Sequence, residues 1–293
     1  MLDSSLMLSL FLSGLSTGMV YVVLASGLTL IFGLLGVINF AHYAFIAVGA
    51  YVGMEVLTTW GLPFGAALVL SFVLVGALGI LLERTLISRL YGQNPAITLI
   101  FTFGLAIAVV EILRIVKGTA FYHVAVPTLI SGTVILGDVA FPMYRIFLIL
   151  MGAALFIGVW LFLQKTPTGL IIRAAICDRG MTRALGVGVV RAFMVTFGIG
   201  LAMAGIGGTL MAPMMGVFPE MGAETLIVCF AVIVIGGMGS FMGTLVAGLI
   251  CGMLSSFITI VSPQMAMASI FIFMTIFLIA RPTGLFGEVG RVD

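Results

Sequence analysis

Unbroken apolar stretches about twenty residues long, such as 64–82 (FGAALVLSFVLVGALGILL) and 146–163, recur along this chain with no charge inside them. At a rise of about 1.5 Å per residue, a helix of that length spans the roughly 30 Å hydrocarbon core of a bilayer. Only 8% of the residues are charged, against roughly 25% in an ordinary soluble domain, so a soluble fold is excluded. A transmembrane barrel would need segments of about ten residues alternating apolar and polar, and these stretches are continuous. The 38 glycines are spread through the apolar segments without a three-residue repeat, as membrane helices tolerate. The reading is an all-α integral membrane protein of about nine transmembrane helices, with eight as the alternative, some of them broken or short. It forms a single transmembrane domain over residues 1–293.

Span 1 is expected over 7–33, closed by GLLGVINFAH at 33–42, and span 2 over 41–60 with Asn39 as its N-cap. Pro63 opens span 3, span 4 follows Pro95, and span 5 covers 143–163. Between spans 4 and 5, residues 117–142 mix short β-branched stretches with Gly, Pro and Asp, which reads as an external loop of one or two short strands. Span 6 is expected over 191–213, ending at Pro213. Residues 224–281 read either as two spans with a re-entrant dip or as three short spans, broken at GGMGSFMG (236–243) and Ser262-Pro263.

A polar island, Lys165 to Arg191 within 164–191, interrupts this pattern. It carries Lys165, Arg173, Arg179, Arg183 and Arg191 against the one acid Asp178. Basic loops stay on the cytoplasmic side, so the island sets the orientation. If the tail with Arg281 and Arg291 is also inside, an even number of spans separates them, giving nine, with the N-terminus outside and the C-terminus inside. The recurrence of Pro-Thr-Gly-Leu at 167–170 and 282–285, each after a basic residue, agrees with one membrane face for both. Arg114, Lys117 and Arg145 are the exceptions, beside the external loop, where local acids or snorkelling accommodate them.

No catalytic constellation is visible. His42 and His123 fall in different loops, no Gly-Lys-Ser/Thr phosphate loop occurs, and the isolated Cys177, Cys229 and Cys251 define neither a disulfide framework nor a metal site. Nothing indicates nucleic acid. Glu55, Glu83, Glu111 and Glu224 lie near span ends, which weakens a proton-coupled carrier, although an ion-coupled secondary carrier using backbone carbonyls remains the alternative. The small-residue pairs Gly14/Gly18, Gly49/Gly53 and Gly239/Gly243 suit close helix packing. Within the island, Ile172, Ala175 and Ile176, extended by Ala184 and Leu185, form an apolar stripe, and Gly180 predicts one bent helix or two short ones. The residues alone admit either a lipid-headgroup anchor or a partner-docking helix. Asn39 and His42 likewise admit interfacial capping or a place in the pathway or gate.

Four stretches in order then carry a resemblance: GLTLIFGLLGVINFAH with GAYVG, the island's Arg173, Ala174, Asp178, Arg179, Leu185, Gly186 and Val187, GGMGSFMGTLVAG (236–248), and RPTGLFG (281–287). Together they resemble the permeases of branched-chain amino-acid ABC importers, more closely the shorter of the two paired membrane subunits. The resemblance implies an ATP-driven, binding-protein-dependent importer for branched-chain or other small amino acids or related amides, in a bacterial inner membrane. It implies a second homologous permease, two cytoplasmic ATPase subunits that bind ATP and Mg, a periplasmic substrate-binding protein, and no cofactor on this chain. It also makes the island a coupling loop, with Arg173, Ala174, Asp178, Arg179, Leu185 and Gly186 docking the ATPase. Where the family often has His-Gly-Glu after Asn-Phe-Ala, this chain has His42-Tyr43-Ala44, so no carboxylate role transfers there.

Overall fold

The computed structural model of the protein describes residues 4–136 and 139–287. Eleven helices are described: α1 (Ser4–Leu35), α2 (Ala41–Thr58), α3 (Phe64–Thr85), α4 (Pro95–Lys117), α5 (Met143–Lys165), α6 (Pro167–Cys177), α7 (Arg179–Ala184), α8 (Val189–Met215), α9 (Met221–Gly236), α10 (Phe241–Val261) and α11 (Pro263–Ala280). Strands β1 (Thr133–Leu136) and β2 (Val139–Pro142) pair antiparallel, Thr133 opposite Pro142, so the expected loop of short strands before α5 is present. Eight helices, α1 to α5, α8, α10 and α11, are long and apolar enough to cross a membrane. The segment expected as two or three spans forms three helices, of which α9, with only 16 residues and roughly 24 Å of rise, is shorter than the eight.

Exposure of apolar side chains identifies the solvent. Val69 and Val73 on α3, Ile100 and Ile115 on α4, and Ile276 and Ile279 on α11 are each more than half exposed. Such surfaces on so many helices suit lipid, where apolar exposure costs nothing.

The chain divides into two compact units, residues 26–124 with 156–226, and residues 1–25 with 125–155 and 227–293. The first unit is built on α8, most of whose residues are buried. Its glycines set the spacing: Gly49 of α2 meets the Gly205 backbone of α8, and a Cβ on Gly79 of α3 would stand 3.1 Å from the Gly198 Cα. Close backbone approach of this kind is what small residues permit in membrane helices. Gly53 faces the Thr209 side chain. A buried hydroxyl cluster ties the three helices: Thr209 Oγ1 donates to the Gly49 carbonyl at 2.9 Å or to Ser71 Oγ at 2.6 Å, and Ser71 Oγ lies 3.2 Å from the same carbonyl.

In the other unit, α1 lies on α10. A Cβ on Gly14 would sit 2.8 Å from the Met253 Cα, and one on Gly18 3.0 Å from the Gly248 carbonyl oxygen. Gly243 packs on the Gly236 backbone, whereas Gly239 has open space around it and φ +87°. Gly239 therefore serves the turn between α9 and α10, not helix packing.

Two local expectations are corrected. Pro213 does not end its helix. It lies in the last turn of α8, where the missing N–H costs a single bond, and the stop comes at Gly216 with φ +76°. Gly180 does not break the island, because it lies inside α7 and the break falls at Asp178. The two Pro-Thr-Gly-Leu stretches differ in shape: Pro167 opens α6 in its first turn, whereas Gly284 takes φ +80° in a non-helical turn.

Candidate functional site

The island folds by local capping. Thr166 Oγ1 accepts from the Gly169 N–H at 3.0 Å and Pro167 fills the first helical position, which starts α6. Asp178 adopts φ −148°, ψ 101°, outside the helical region, and its Oδ1 accepts from the Met181 N–H at 2.8 Å, starting α7. Leu185 and Gly186, the latter at φ +76°, turn the chain into α8. The apolar stripe of α6 is real: Ile172 and Ala175 are buried, and Ala175 joins Val189, Phe193, Leu34 and Tyr91 in one cluster. Ile176 packs on Gly33 at the end of α1. The stripe does not extend to Ala184 and Leu185, which are exposed.

One side chain of the island is clamped. The Arg179 guanidinium lies 4.2 Å from the Tyr91 ring centroid and 4.8 Å from that of Phe193, a cation–π sandwich. The Tyr91 hydroxyl donates to Glu83 Oε1 at 2.5 Å, and Glu83 is buried at the end of α3. Burial, then the neighbouring Glu83 carboxylate, push the Tyr91 hydroxyl well above its usual pKa. Sequence reading missed this group because its members stand 8 and 96 residues from Glu83, at Tyr91 and Arg179; the signal was an acid at a span end beside a tyrosine in a short loop.

What remains free is a mixed face. Arg173, Ala174, Asp178, Arg183, Leu185 and Gly186 are exposed, and so are the apolar Leu170, Met181 and Val190. The ends of α3 and α5 and the starts of α4 and α8 gather here. Between them and the island they hold Arg84, Arg89, Lys165, Arg173, Arg179, Arg183 and Arg191 against Glu83 and Asp178. This is a basic, partly apolar surface suited to charge-assisted hydrogen bonds with an acidic partner or with headgroups.

Asn39 and His42 are both fully buried. The Asn39 Oδ1 accepts from the Ala41 N–H at 3.1 Å, so it caps α2, although Phe40 already has helical angles. The Phe40 N–H donates to Thr102 Oγ1 at 3.3 Å. Thr102 is the eighth residue of α4, so α2 begins roughly 10 Å along α4. The chain break at Asn39 therefore lies at membrane depth, where interrupted backbone is tolerated only inside protein.

Charges at the opposite end of the same unit are paired. Arg114 bridges Glu111 at 2.9 Å and also meets Glu220, and Lys117 meets Glu55. Tyr122 and Val217 exchange backbone hydrogen bonds at 2.9 and 2.8 Å, with Phe121 stacked on Phe218. Two of the three basic residues out of place in the sequence thus have their local acids.

Lipid-facing helices, a break at membrane depth and a basic end loop define a polytopic membrane protein. Residues 10–280 match the family described as "Branched-chain amino acid transport system / permease component", and the chain belongs to that family. It is 29% identical to the high-affinity branched-chain amino acid transport system permease protein BraD of Pseudomonas aeruginosa, over 96% of both chains. It is 27% identical to LivH of Escherichia coli, again over 96% of each. A more distant likeness, 30% over 79% of this chain and 60% of the other, is to LivM of Salmonella typhimurium. Among solved structures, PsaBC from Streptococcus pneumoniae in complex with Fab aligns with TM-score 0.48 and 16% identity, over 91% of this chain and 90% of that one, which is too distant to support a functional argument.

Proposed function

We propose that this chain is one membrane subunit of an ATP-driven, binding-protein-dependent importer for branched-chain or other small amino acids or related amides, in a bacterial inner membrane. The likeness to BraD along 96% of both chains carries the reading. Similarity to both LivH and LivM supports a pathway formed with a second, homologous permease. The chain binds no cofactor of its own; ATP and Mg sit on two cytoplasmic ATPase subunits, and a periplasmic protein delivers substrate.

The basic end faces the cytoplasm by the positive-inside rule, with the N-terminus outside and the C-terminus inside. There α6 and α7 dock the ATPase: Arg173 and Asp178 supply charge-assisted hydrogen bonds, and Met181 and Leu185 supply apolar contact. Arg179 acts differently. Its place between Tyr91 and Phe193 ties α7 to α8, so a displacement of the docked ATPase reaches the spanning helices. Transport follows when ATP binding favours one of two arrangements of the permease pair.

The test separates docking from helix capping at Asp178. Asp178→Asn keeps a capping side chain and removes the charge, Asp178→Ala removes both, and Asp178→Lys reverses the charge. Membrane insertion is expected in all three, with ATPase co-purification and coupled uptake in liposomes falling most for the lysine variant. Liposomes with this chain alone should show no concentrative uptake under a Na⁺ or proton gradient. Normal recovery and uptake for Asp178→Lys, or ion-driven accumulation by the isolated chain, would reject the importer-subunit reading.

A further inference from the structure

Arg145 is the third basic residue out of place, and its surroundings differ from those of Arg114 and Lys117. It is the third residue of α5 and half-buried. No carboxylate among the described residues pairs with it. It lines a cavity of about 280 Å³ together with Ser13 and Thr17 of α1 and Ser255, Ser256 and Thr259 of α10, with Leu10 and Ile260 as the apolar part of the wall. All of these belong to one compact unit.

The hydroxyls are arranged unequally. Ser256 Oγ donates to the Leu10 carbonyl at 2.8 Å and Thr259 Oγ1 to the Ser255 carbonyl at 2.7 Å, so their protons are used. The side-chain hydroxyls of Ser13 and Thr17, one helical turn apart on one face of α1, have no hydrogen-bond partner among the described residues. Two free O–H donors and an unpaired guanidinium therefore open into the same space. An uncompensated cation inside a membrane protein is costly, and its usual partner is a bound anion or an ion pair.

We propose that this cavity seats the phosphodiester of an anionic phospholipid, with Arg145 as the bidentate donor and the Ser13 and Thr17 hydroxyls completing the oxyanion contacts. Charge balance selects the ligand: the lining carries one positive charge and no carboxylate. A zwitterionic amino acid would place its ammonium beside Arg145 with no counter-charge, whereas a phosphodiester brings one negative charge and no cation. Depth agrees, since Arg145 lies within about 5 Å of the start of α5 and Thr259 and Ile260 lie in the last turn of α10, the level of headgroups. Basic pockets between spanning helices bind lipid headgroups by this chemistry.

Native mass spectrometry of the full-length chain in detergent tests the assignment, using phosphatidylglycerol, phosphatidylethanolamine, inorganic phosphate and leucine as probes. Phosphatidylglycerol should bind about tenfold tighter than phosphatidylethanolamine, and Arg145→Gln should remove that preference, the range expected for charge-assisted bonds. Arg145→Lys should keep part of it, and the double variant Ser13→Ala/Thr17→Val should weaken binding several-fold while remaining monodisperse. Binding by Arg145→Gln equal to the wild type would overturn the proposal. So would displacement of the lipid by millimolar phosphate, which would mark a free-anion site, or by leucine, which would mark a substrate site. Asp138, outside the described residues, is the acid nearest to Arg145 in sequence. Phosphatidylglycerol binding that appears only in Asp138→Asn would show Arg145 to be neutralised within the chain and would also overturn it.

Discussion

The Tyr91 hydroxyl has one task that can be removed without touching the other. Its O–H donates to Glu83 Oε1 at 2.5 Å, while its ring carries Arg179 at 4.2 Å. Tyr91→Phe deletes the first and keeps the second. Glu83 is 1% exposed, and its Oε2 has no partner among the described residues, so the variant strands a buried carboxylate. A hydrogen bond to a charged group is worth about 1.5–3 kcal/mol, and an orphaned acceptor keeps its desolvation cost. A loss of about 2 kcal/mol is expected. Pairing the change with Glu83→Gln, which needs no charge-assisted donor, should recover about half of it, giving a coupling energy of about 1 kcal/mol in a double-mutant cycle. Tyr91→Ala should cost about 1 kcal/mol more than Tyr91→Phe through the lost cation–π contact alone, and still more through lost packing. The assay is unfolding of the purified chain in mild detergent, read by intrinsic fluorescence across a denaturant series at fixed lipid content. Tyr91→Phe within about 0.5 kcal/mol of wild type, or strict additivity with Glu83→Gln, would refute the argument that this bond holds the island to α3.

Other perturbations address other links. Single cysteines at Ser131 and Arg183, both exposed, in a background without the native three, should label from opposite sides of intact cells; same-side labelling would remove the proposed topology. Gly49→Leu should abolish folding, because a side chain there meets the Gly205 backbone, whereas Gly104→Ala in α4, which faces open space, should be neutral or stabilising by about 0.5–1 kcal/mol; equal expression of both would contradict the packing described. Thr209→Val removes the hydroxyl shared by Gly49 and Ser71 and should cost about 1 kcal/mol, measured in the same denaturant series.

The long spans were legible because a twenty-residue apolar run has one stable form in lipid, and the short strands before α5 because Gly, Pro and Asp punctuate them. Helix ends were less so. Pro213 and Gly180 are breakers by local rule, yet Pro213 falls where one lost bond suffices and Asp178 offers a better stop by capping the next helix. The basic island was visible from charge alone, but the division within it was not: Arg173 and Arg179 look alike in sequence, and only the fold brings Tyr91 and Phe193 around the second. Gly243 and Gly239 were equivalent on spacing, and only the backbone angle separates packing from turning. Arg145 could be marked as out of place, whereas the absence of a described acid beside it depends on three separate helices.

The contact of α8 with α2 and α3 has a mechanical consequence. Where Gly49 rests on Gly205 and Gly79 on Gly198, there is no cushion of flexible side chains to absorb sliding. A shift of even one helical turn would drive Val75 or Ile80, which now border Gly205 and Gly198, into facing backbone. Shear between these helices is therefore blocked, and the Ser71–Thr209 hydroxyl pair would break with it. Rotating the three helices together breaks none of these contacts. Any stroke of this protein that opens one side and closes the other must carry them as a single lever.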